Sequence, residues 1–197
     1  MREELDKKLC EDFPKMFVNR HKSMKETCMC WGFDHGDGWY NIIRALCSNI
    51  QHHIDWQRKQ RAGALKYNRA LRKALTKNDK SALIKHFSYS DSGPNEWTMR
   101  RVEEAIVEGK YREVPEACKQ VVVDQVKEKF GTLRFYYSGG DDTIHGMTRM
   151  AESMSAVTCE VCGAPGKSRH GGWVHTYCDH HEEEYQQRMK ERYNGED

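Results

Sequence analysis

The longest regular feature of the sequence is an apolar stripe that begins at Trp39. Its first members recur at spacings of three and four residues, which places them on one face of a helix: Trp39, Ile42, Ile43, Leu46, Ile50 and Ile54. Asp37 lies just ahead of the stripe and is a predicted N-cap. A break is predicted at Asn78 and Asp79, and a further helix is predicted between Asn95 and Gly109. The pattern therefore predicts a helical segment over residues 38–108.

The period changes from helical to alternating after residue 118. β-Branched and aromatic residues now occupy every second position in two runs: Val121, Val123, Leu133, Phe135 and Tyr137. Gly131 lies between the two runs and can turn the chain. We predict a β-hairpin over 119–138, followed by a helix for which Asp141 is a candidate N-cap.

Four residues near the C-terminus have the types and spacing of a zinc site. Cys159 and Cys162 form a CxxC turn followed by Gly163, and Cys178 lies three residues before His181. A knuckle and the first turn of a helix together supply a closed tetrahedral Cys₃His set, which is treble-clef-like and structural. His180 or His175 could replace His181 as the fourth ligand, and buried cysteines without metal are the alternative interpretation. We predict a structural Zn²⁺, which would also stabilise a module with few apolar residues.

A loop rich in glycine and aromatic residues precedes the long helix. Its chemistry-bearing side chains are Trp31, Asp34, His35, Asp37, Trp39 and Tyr40. They favour a polar pocket at a helix N-terminus, where an anionic, flat ligand could bind. The alternative is a tight loop with core aromatics and turn-capping aspartates. A second metal at Cys28, Cys30, His35 or Cys47 stays open, although CxC is poor knuckle spacing.

The predicted hairpin supplies further ligand-binding candidates. Arg134 and Tyr136 would share one face, where they can pair with a phosphate and stack on a base. A solvated cross-strand pair is the competing interpretation. Asp141 and Asp142 follow two glycines and could hold Mg²⁺ with substrate phosphates, or simply cap the next helix.

One face of the long helix is strongly basic. Seven cationic residues fall on that face: Arg58, Lys59, Arg61, Lys66, Arg69, Arg72 and Lys73. This face, within residues 58–73, could bind nucleic acid or an acidic host protein. A solvated face of an ordinary helix is the preferred interpretation, since the whole chain is nearly neutral.

Composition narrows the class of protein. The chain has 197 residues, of which 31% are charged, with a formal net charge of +2. The chain has six Phe, nine Tyr and five Trp residues, which are enough large side chains to form a core. This composition argues against disorder. No membrane span, signal peptide, GxSxG, Walker-A, GxGxxG or HExxH pattern occurs, so we predict an intracellular protein without a named catalytic motif. Eight cysteines in a reducing compartment favour metal ligation over disulfides.

Several sequence words resemble those of a family of small uncharacterised proteins encoded by tailed bacteriophages. They are CMCWGF at residues 28–33, GDGWY at 36–40, KFGTLRFYYSGG at 129–140, and the CxxCG of the metal motif. The resemblance covers most of residues 13–56 and 119–181. It implies expression in the bacterial host cytoplasm and an accessory role, and it carries over no activity.

The predicted fold is α+β, with helices packed on a small antiparallel sheet. We predict two domains: a core over 1–157 and a treble-clef-like zinc module over 158–197. The first functional hypothesis is a binding protein, not an enzyme, that sequesters an anionic aromatic ligand such as a nucleotide-like host immune signal. The alternatives are a metal-dependent phosphoesterase or nuclease using Asp34, His35, Asp37, Asp141 and Asp142, and an adaptor acting through the basic helix. Homo-oligomerisation stays open.

Overall fold

The computed structural model describes residues 1–88, 93–170 and 173–194, and its architecture is α+β. The helices are α1 (Glu3–Asp12), α2 (Tyr40–Lys77), α3 (Ser81–Phe87), α4 (Glu96–Glu108), α5 (Asp142–Ser155) and α6 (Asp179–Asn194). The strands are β1 (Phe33–Asp34), β2 (Lys119–Lys129), β3 (Thr132–Gly140), β4 (Lys167–Arg169) and β5 (His175–Tyr177). The predicted α+β class and the predicted hairpin are confirmed. Within the described ranges, no helix combines the length and apolarity needed to cross a membrane.

The chain divides into two compact units, Met1–Ile54 with Cys118–Asp197, and Asp55–Ala117. The predicted boundary at 157/158 is not where these units divide. Hydrogen bonds tie the C-terminal module to the loop before α2: the Gly38 amide donates to the Glu160 carbonyl at 2.7 Å, and Trp39 Nε1 donates to the Thr158 carbonyl at 2.9 Å. Such long-range backbone pairing cannot be read from a composition change along the chain.

The first unit is built on a three-stranded sheet in the order β1–β2–β3. β2 and β3 are antiparallel, whereas the two-residue strand β1 runs parallel to β2, so the sheet is not purely antiparallel as predicted. One face is buried, and the row Phe33, Val126 and Phe135 crosses all three strands. A register shift between Val123 and Gln125 lets both Val123 and Val126 face the core. α5 and the first part of α2 contribute to the same apolar core.

The second unit has a core of its own. It joins the later part of α2 to α3 and α4 through Tyr67, Leu71, Leu83, Phe87 and Val102. The predicted helix ends are confirmed here: α2 stops before Asn78, which has a left-handed φ of 51°. The Asn95 side chain caps α4 by accepting from the Thr98 amide, and Gly109 ends it in the left-handed conformation.

The predicted N-cap of α2 is wrong. A 3₁₀ turn over Asp37–Trp39 precedes the helix, which begins at Tyr40. The Asp37 carboxylate instead accepts from the Arg2 amide at 2.7 Å and pairs with the Arg2 guanidinium. Asp37 thus joins Arg2 to the loop. Its carboxylate oxygens are occupied by the Arg2 amide and guanidinium and not by helix amides.

Candidate metal centre and ligand surface

The four predicted metal ligands converge. The ligand atoms of Cys159, Cys162, Cys178 and His181 all lie within 4.8 Å of one another. His181 Nδ1 is 3.5 Å from Cys159 Sγ and 3.1 Å from Cys178 Sγ, and the Cys162 and Cys178 sulfurs are 3.9 Å apart. Ligands around a tetrahedral zinc with bonds of about 2.0–2.3 Å have such separations. The cluster could therefore hold a metal ion.

Local backbone geometry explains why these residues meet. Gly163 has a φ of 79° and its amide donates to the Cys159 carbonyl at 2.8 Å, which closes the knuckle. Cys178 directly precedes α6, and His181 lies in the first turn of that helix. The antiparallel pair β4–β5 connects the knuckle to the helix and brings Cys178 back to it.

The other two histidines considered as fourth ligand have different partners. His175 is buried, with Nε2 2.8 Å from a Glu182 carboxylate oxygen and Nδ1 2.9 Å from the Trp173 carbonyl. His180 is exposed and pairs with Glu184. The geometry thus places His181 in the cluster and assigns the other two to polar contacts beside it.

The Cys159 sulfur lies in an environment suited to a thiolate. Burial opposes ionisation, but backbone N–H groups of Cys178, Cys162 and Val161 face the sulfur. These amides lower the pKa of the Cys159 thiol below its ordinary value. The knuckle thus supplies hydrogen-bond donors around a candidate metal ligand, as the glycine after CxxC predicts.

The module that carries the Cys₃His cluster contacts both the hairpin tip and the glycine-rich loop. The Thr176 hydroxyl donates to the Gly131 carbonyl at 2.6 Å in a buried contact. The Glu160 carboxylate accepts from the Gly36 amide at 3.0 Å. Through these contacts the conformation of the Cys₃His cluster supports the conformations of the hairpin tip and of the glycine-rich loop.

Two of the predicted ligand-binding residues in the loop are buried in the protein. Trp39 has no exposed surface and belongs to the apolar core, and His35 is 7% exposed and stacks near Phe33 and Trp39. Trp31 is 61% exposed, and Tyr40 is half-buried with a buried hydroxyl. The core interpretation therefore holds for Trp39 and His35, because an aromatic next to glycines can equally fill a core.

The open face of the sheet gathers the predicted hairpin residues with one that the sequence analysis missed. Asp34 is in register with Lys127, and Lys127 is in register with Arg134, so the three share a face. Tyr136 lies on the same face, with Lys127 Nζ 5.8 Å from its ring centroid. The predicted separation of Arg134 and Tyr136 from Leu133 and Phe135 is borne out by burial. Lys127 was not predicted because the apolar alternation that predicts β2 gives no information about its polar positions.

Asp141 and Asp142 lie at the opposite end of β3 from Arg134. Asp141 caps α5 by accepting from the Ile144 amide at 3.1 Å, as the capping interpretation predicts, and its other oxygen is 2.7 Å from His53 Nε2. Within the described residues, no metal-type cluster joins Asp34, His35 or Asp37 to these acids. The acids required for the phosphoesterase alternative do not converge. Asp34 lies near the hairpin-tip end of the sheet, whereas Asp141 and Asp142 follow β3 at the other end.

The second metal considered at Cys28, Cys30, His35 or Cys47 also lacks a cluster among the described residues. Cys47 is fully buried in the apolar core, which raises its thiol pKa far above the ordinary value. Cys30 Sγ is instead 3.1 Å from the Thr27 carbonyl.

The basic face of α2 is mostly solvated. Six of its seven cations are exposed, and Arg61 donates to the Pro115 carbonyl. Nothing in the structure tests its predicted partners, and the binding role of residues 58–73 stays a prediction.

His35 gives the protein a testable acid sensitivity. Its Nδ1 donates to the Gly36 carbonyl, and its buried Nε2 has no hydrogen-bond partner among the described residues. Burial lowers the pKa of His35 from 6.5 to about 4. The unfolded chain therefore binds a proton between these values while the folded protein does not, so stability falls as pH drops from 6.5 towards 4, by about 3 kcal/mol in full.

Replacement of His35 by Asn retains a donor for Gly36 and removes the titration. Urea unfolding of the metal-loaded wild type and His35→Asn between pH 7 and about 4.5 should show a shallower loss in the variant. Metal content measured at each pH separates acid release of the metal from the titration of His35. Parallel pH profiles would contradict the assignment.

A search with protein-family models, with curated proteins and with solved structures finds no match to this chain. The function must therefore be argued from the geometry above.

Proposed function

We propose that the Cys159, Cys162, Cys178 and His181 cluster holds a structural Zn²⁺ in a treble-clef-like module. Three sulfurs and one imidazole nitrogen form a donor set that zinc prefers, and four protein ligands leave no position for a reacting water. The knuckle supplies two ligands and the start of α6 supplies the other two, with the β4–β5 pair between them in the chain, which is the order typical of that module. The metal stabilises the module that contacts the hairpin tip and the glycine-rich loop, and it takes no part in catalysis.

We further propose that the chain is a binding protein for an anionic aromatic ligand, taken up on the open face of the sheet. The observation that carries this proposal is the pairing of Lys127 and Arg134 in adjacent strands beside Tyr136. Arg134 Nη1 donates to Thr132 Oγ1 at 2.6 Å and to the Leu133 carbonyl at 2.8 Å, which fixes the side chain. A guanidinium carries five N–H donors, so donors remain for a phosphate.

A cleft beside Tyr136 accommodates the flat part of such a ligand. It has a volume of about 430 Å³ and is lined by residues that include Met24, Cys28, Gln125 and Tyr136. This volume falls within the range of small-molecule sites. A base can stack on the Tyr136 ring, which is 42% exposed, while its phosphate reaches Lys127 and Arg134. Asp34 offers an acceptor for a sugar hydroxyl at the edge of this face.

In the phage setting that the sequence resemblance implies, this binding would sequester a nucleotide-like host immune signal in the host cytoplasm. Sequestration requires affinity without turnover. The absence of convergence among the acids of the phosphoesterase set supports binding over hydrolysis.

Calorimetry against linear and cyclic nucleotides tests the binding proposal. Arg134→Gln and Tyr136→Ala should each weaken binding by about tenfold or more, because each removes a charged hydrogen bond or a stacking surface. Arg149→Gln is the matched control, since Arg149 is exposed on α5, which packs on β3. Failure of every nucleotide to bind, or equal affinity in Arg134→Gln and Arg149→Gln, would remove the proposal.

A further inference from the structure

A second set of metal-ligating side chains lies at the other end of the sheet. His53 on α2, Cys118 just before β2 and Asp141 at the start of α5 bring their ligand atoms within 4.8 Å of one another. His53 Nε2 is 2.7 Å from Asp141 Oδ2. The three residues are far apart in sequence, so only the fold of the first unit brings them together.

Neighbouring contacts orient Asp141 and join the two elements that carry Cys118 and His53. Asp141 Oδ1 accepts from the Ile144 amide at 3.1 Å, so the carboxylate is oriented with Oδ2 towards His53. Gln120 Nε2 donates to Gln51 Oε1 at 3.0 Å, and this contact joins β2 to α2 two residues from Cys118 and His53. Fixed orientation of ligands by such neighbours is typical of metal sites.

Burial differs across the three groups. Cys118 is 9% exposed and the His53 side chain is 13% exposed, whereas the Asp141 side chain is 33% exposed. The set is therefore enclosed on the thiol and imidazole side and reached by solvent on the carboxylate side. Three protein ligands with solvent access leave a coordination position for water.

We propose that His53, Cys118 and Asp141 bind a second divalent ion, Zn²⁺, with an open fourth position. A mixed nitrogen, sulfur and oxygen set matches zinc better than calcium or magnesium, which prefer oxygen ligands. Coordination by His53 Nε2 would require the imidazole proton to reside on Nδ1 and the Cys118 thiol to lose its proton to solvent. Tetrahedral coordination would require the His53–Asp141 separation to be about half an ångström larger than 2.7 Å. This site is independent of the ligand surface and of the Cys₃His cluster.

Metal stoichiometry of the full chain tests the proposal. Protein purified and dialysed against micromolar free Zn²⁺ is expected to contain two zinc ions per chain by elemental analysis and native mass spectrometry. A single equivalent in the wild-type protein that is lost in Cys162→Ser overturns the second site, because the one bound ion then lies in the Cys₃His cluster. A second equivalent that binds only at millimolar zinc overturns it as well.

Two variants locate the second ion. Asp141→Asn keeps an acceptor for the Ile144 amide and removes the carboxylate charge, and Cys118→Ser removes the thiolate. Each is expected to weaken the second equivalent by about a hundredfold, since a direct ligand matters at least as much as its neighbours, while the first equivalent remains. Cys28→Ser is the matched control, because Cys28 is exposed and outside both clusters. Two tight equivalents in folded Asp141→Asn and Cys118→Ser would overturn the assignment.

Discussion

Loss of metal from the Cys159, Cys162, Cys178 and His181 cluster is expected to unfold the C-terminal module and detach α6. No described side chain of this 16-residue helix is fully buried, so apolar packing contributes little to holding it in place. Its other contacts include the Arg169–Asp179 ion pair, the hydrogen bond between His175 and Glu182, and the Tyr185 ring, whose centroid is 4.5 Å from that of His175. Structural zinc contributes on the order of 10 kcal/mol or more to such small modules, far more than exposed ion pairs.

Cys162→Ser tests this expectation without creating a cavity, because Cys162 is exposed. The variant is expected to lose bound metal, helical circular dichroism from α6 and amide protection over residues 173–194. Cys28→Ser removes an equally exposed sulfur outside the cluster and should leave all three readouts unchanged. Equal stability of the two variants would contradict a structural metal.

The effect should extend beyond the module. The Thr176 hydroxyl holds the Gly131 carbonyl at the hairpin tip, and Glu160 holds the Gly36 amide in the loop. Both contacts depend on the knuckle and β5 keeping their positions. We therefore expect metal removal to weaken ligand binding at Arg134 and Tyr136, although neither residue touches the metal.

Local signals in the sequence predict much of this fold. Asn95 and Gly109 bracket α4, and Gly131 turns the hairpin, because capping and turn chemistry act over only a few residues. The metal cluster is predictable for the same reason: CxxCG fixes two sulfurs locally, and Cys178 and His181 share a helix turn. Each of these predictions depends on residues that are only a few positions apart in the sequence.

Long-range packing explains what could not be predicted. Trp39 lies on the apolar stripe that predicts a core position, but the burial of His35 depends on elements distant in sequence. The two-residue strand β1 is too short to show a period, and its pairing with Val126 and Lys127 creates the row that includes Arg134. The union of His53, Cys118 and Asp141 likewise requires three elements to meet.

Gly38→Ala is expected to be among the most damaging single substitutions in the chain. A Cβ at this position would lie 2.1 Å from the Cys159 carbonyl oxygen, 2.5 Å from the Gly163 nitrogen and 2.7 Å from the Glu160 carbonyl oxygen. All three are backbone atoms of the knuckle, so no side-chain rotation relieves the overlap. Either the loop separates from the knuckle, which breaks the 2.7 Å Gly38–Glu160 hydrogen bond, or the knuckle deforms.

Both responses cost stability, and the second also displaces a metal ligand. We expect Gly38→Ala to lower the free energy of unfolding by about 3 kcal/mol and to weaken metal binding. Gly63→Ala provides a control of opposite sign, because Gly63 lies within α2 and a Cβ there meets nothing within 4 Å. That change should stabilise the protein by up to about 1 kcal/mol through helix propensity. Denaturant unfolding of both variants with metal present measures the contrast, and a Gly38→Ala protein as stable as wild type would show that the loop does not pack on the knuckle.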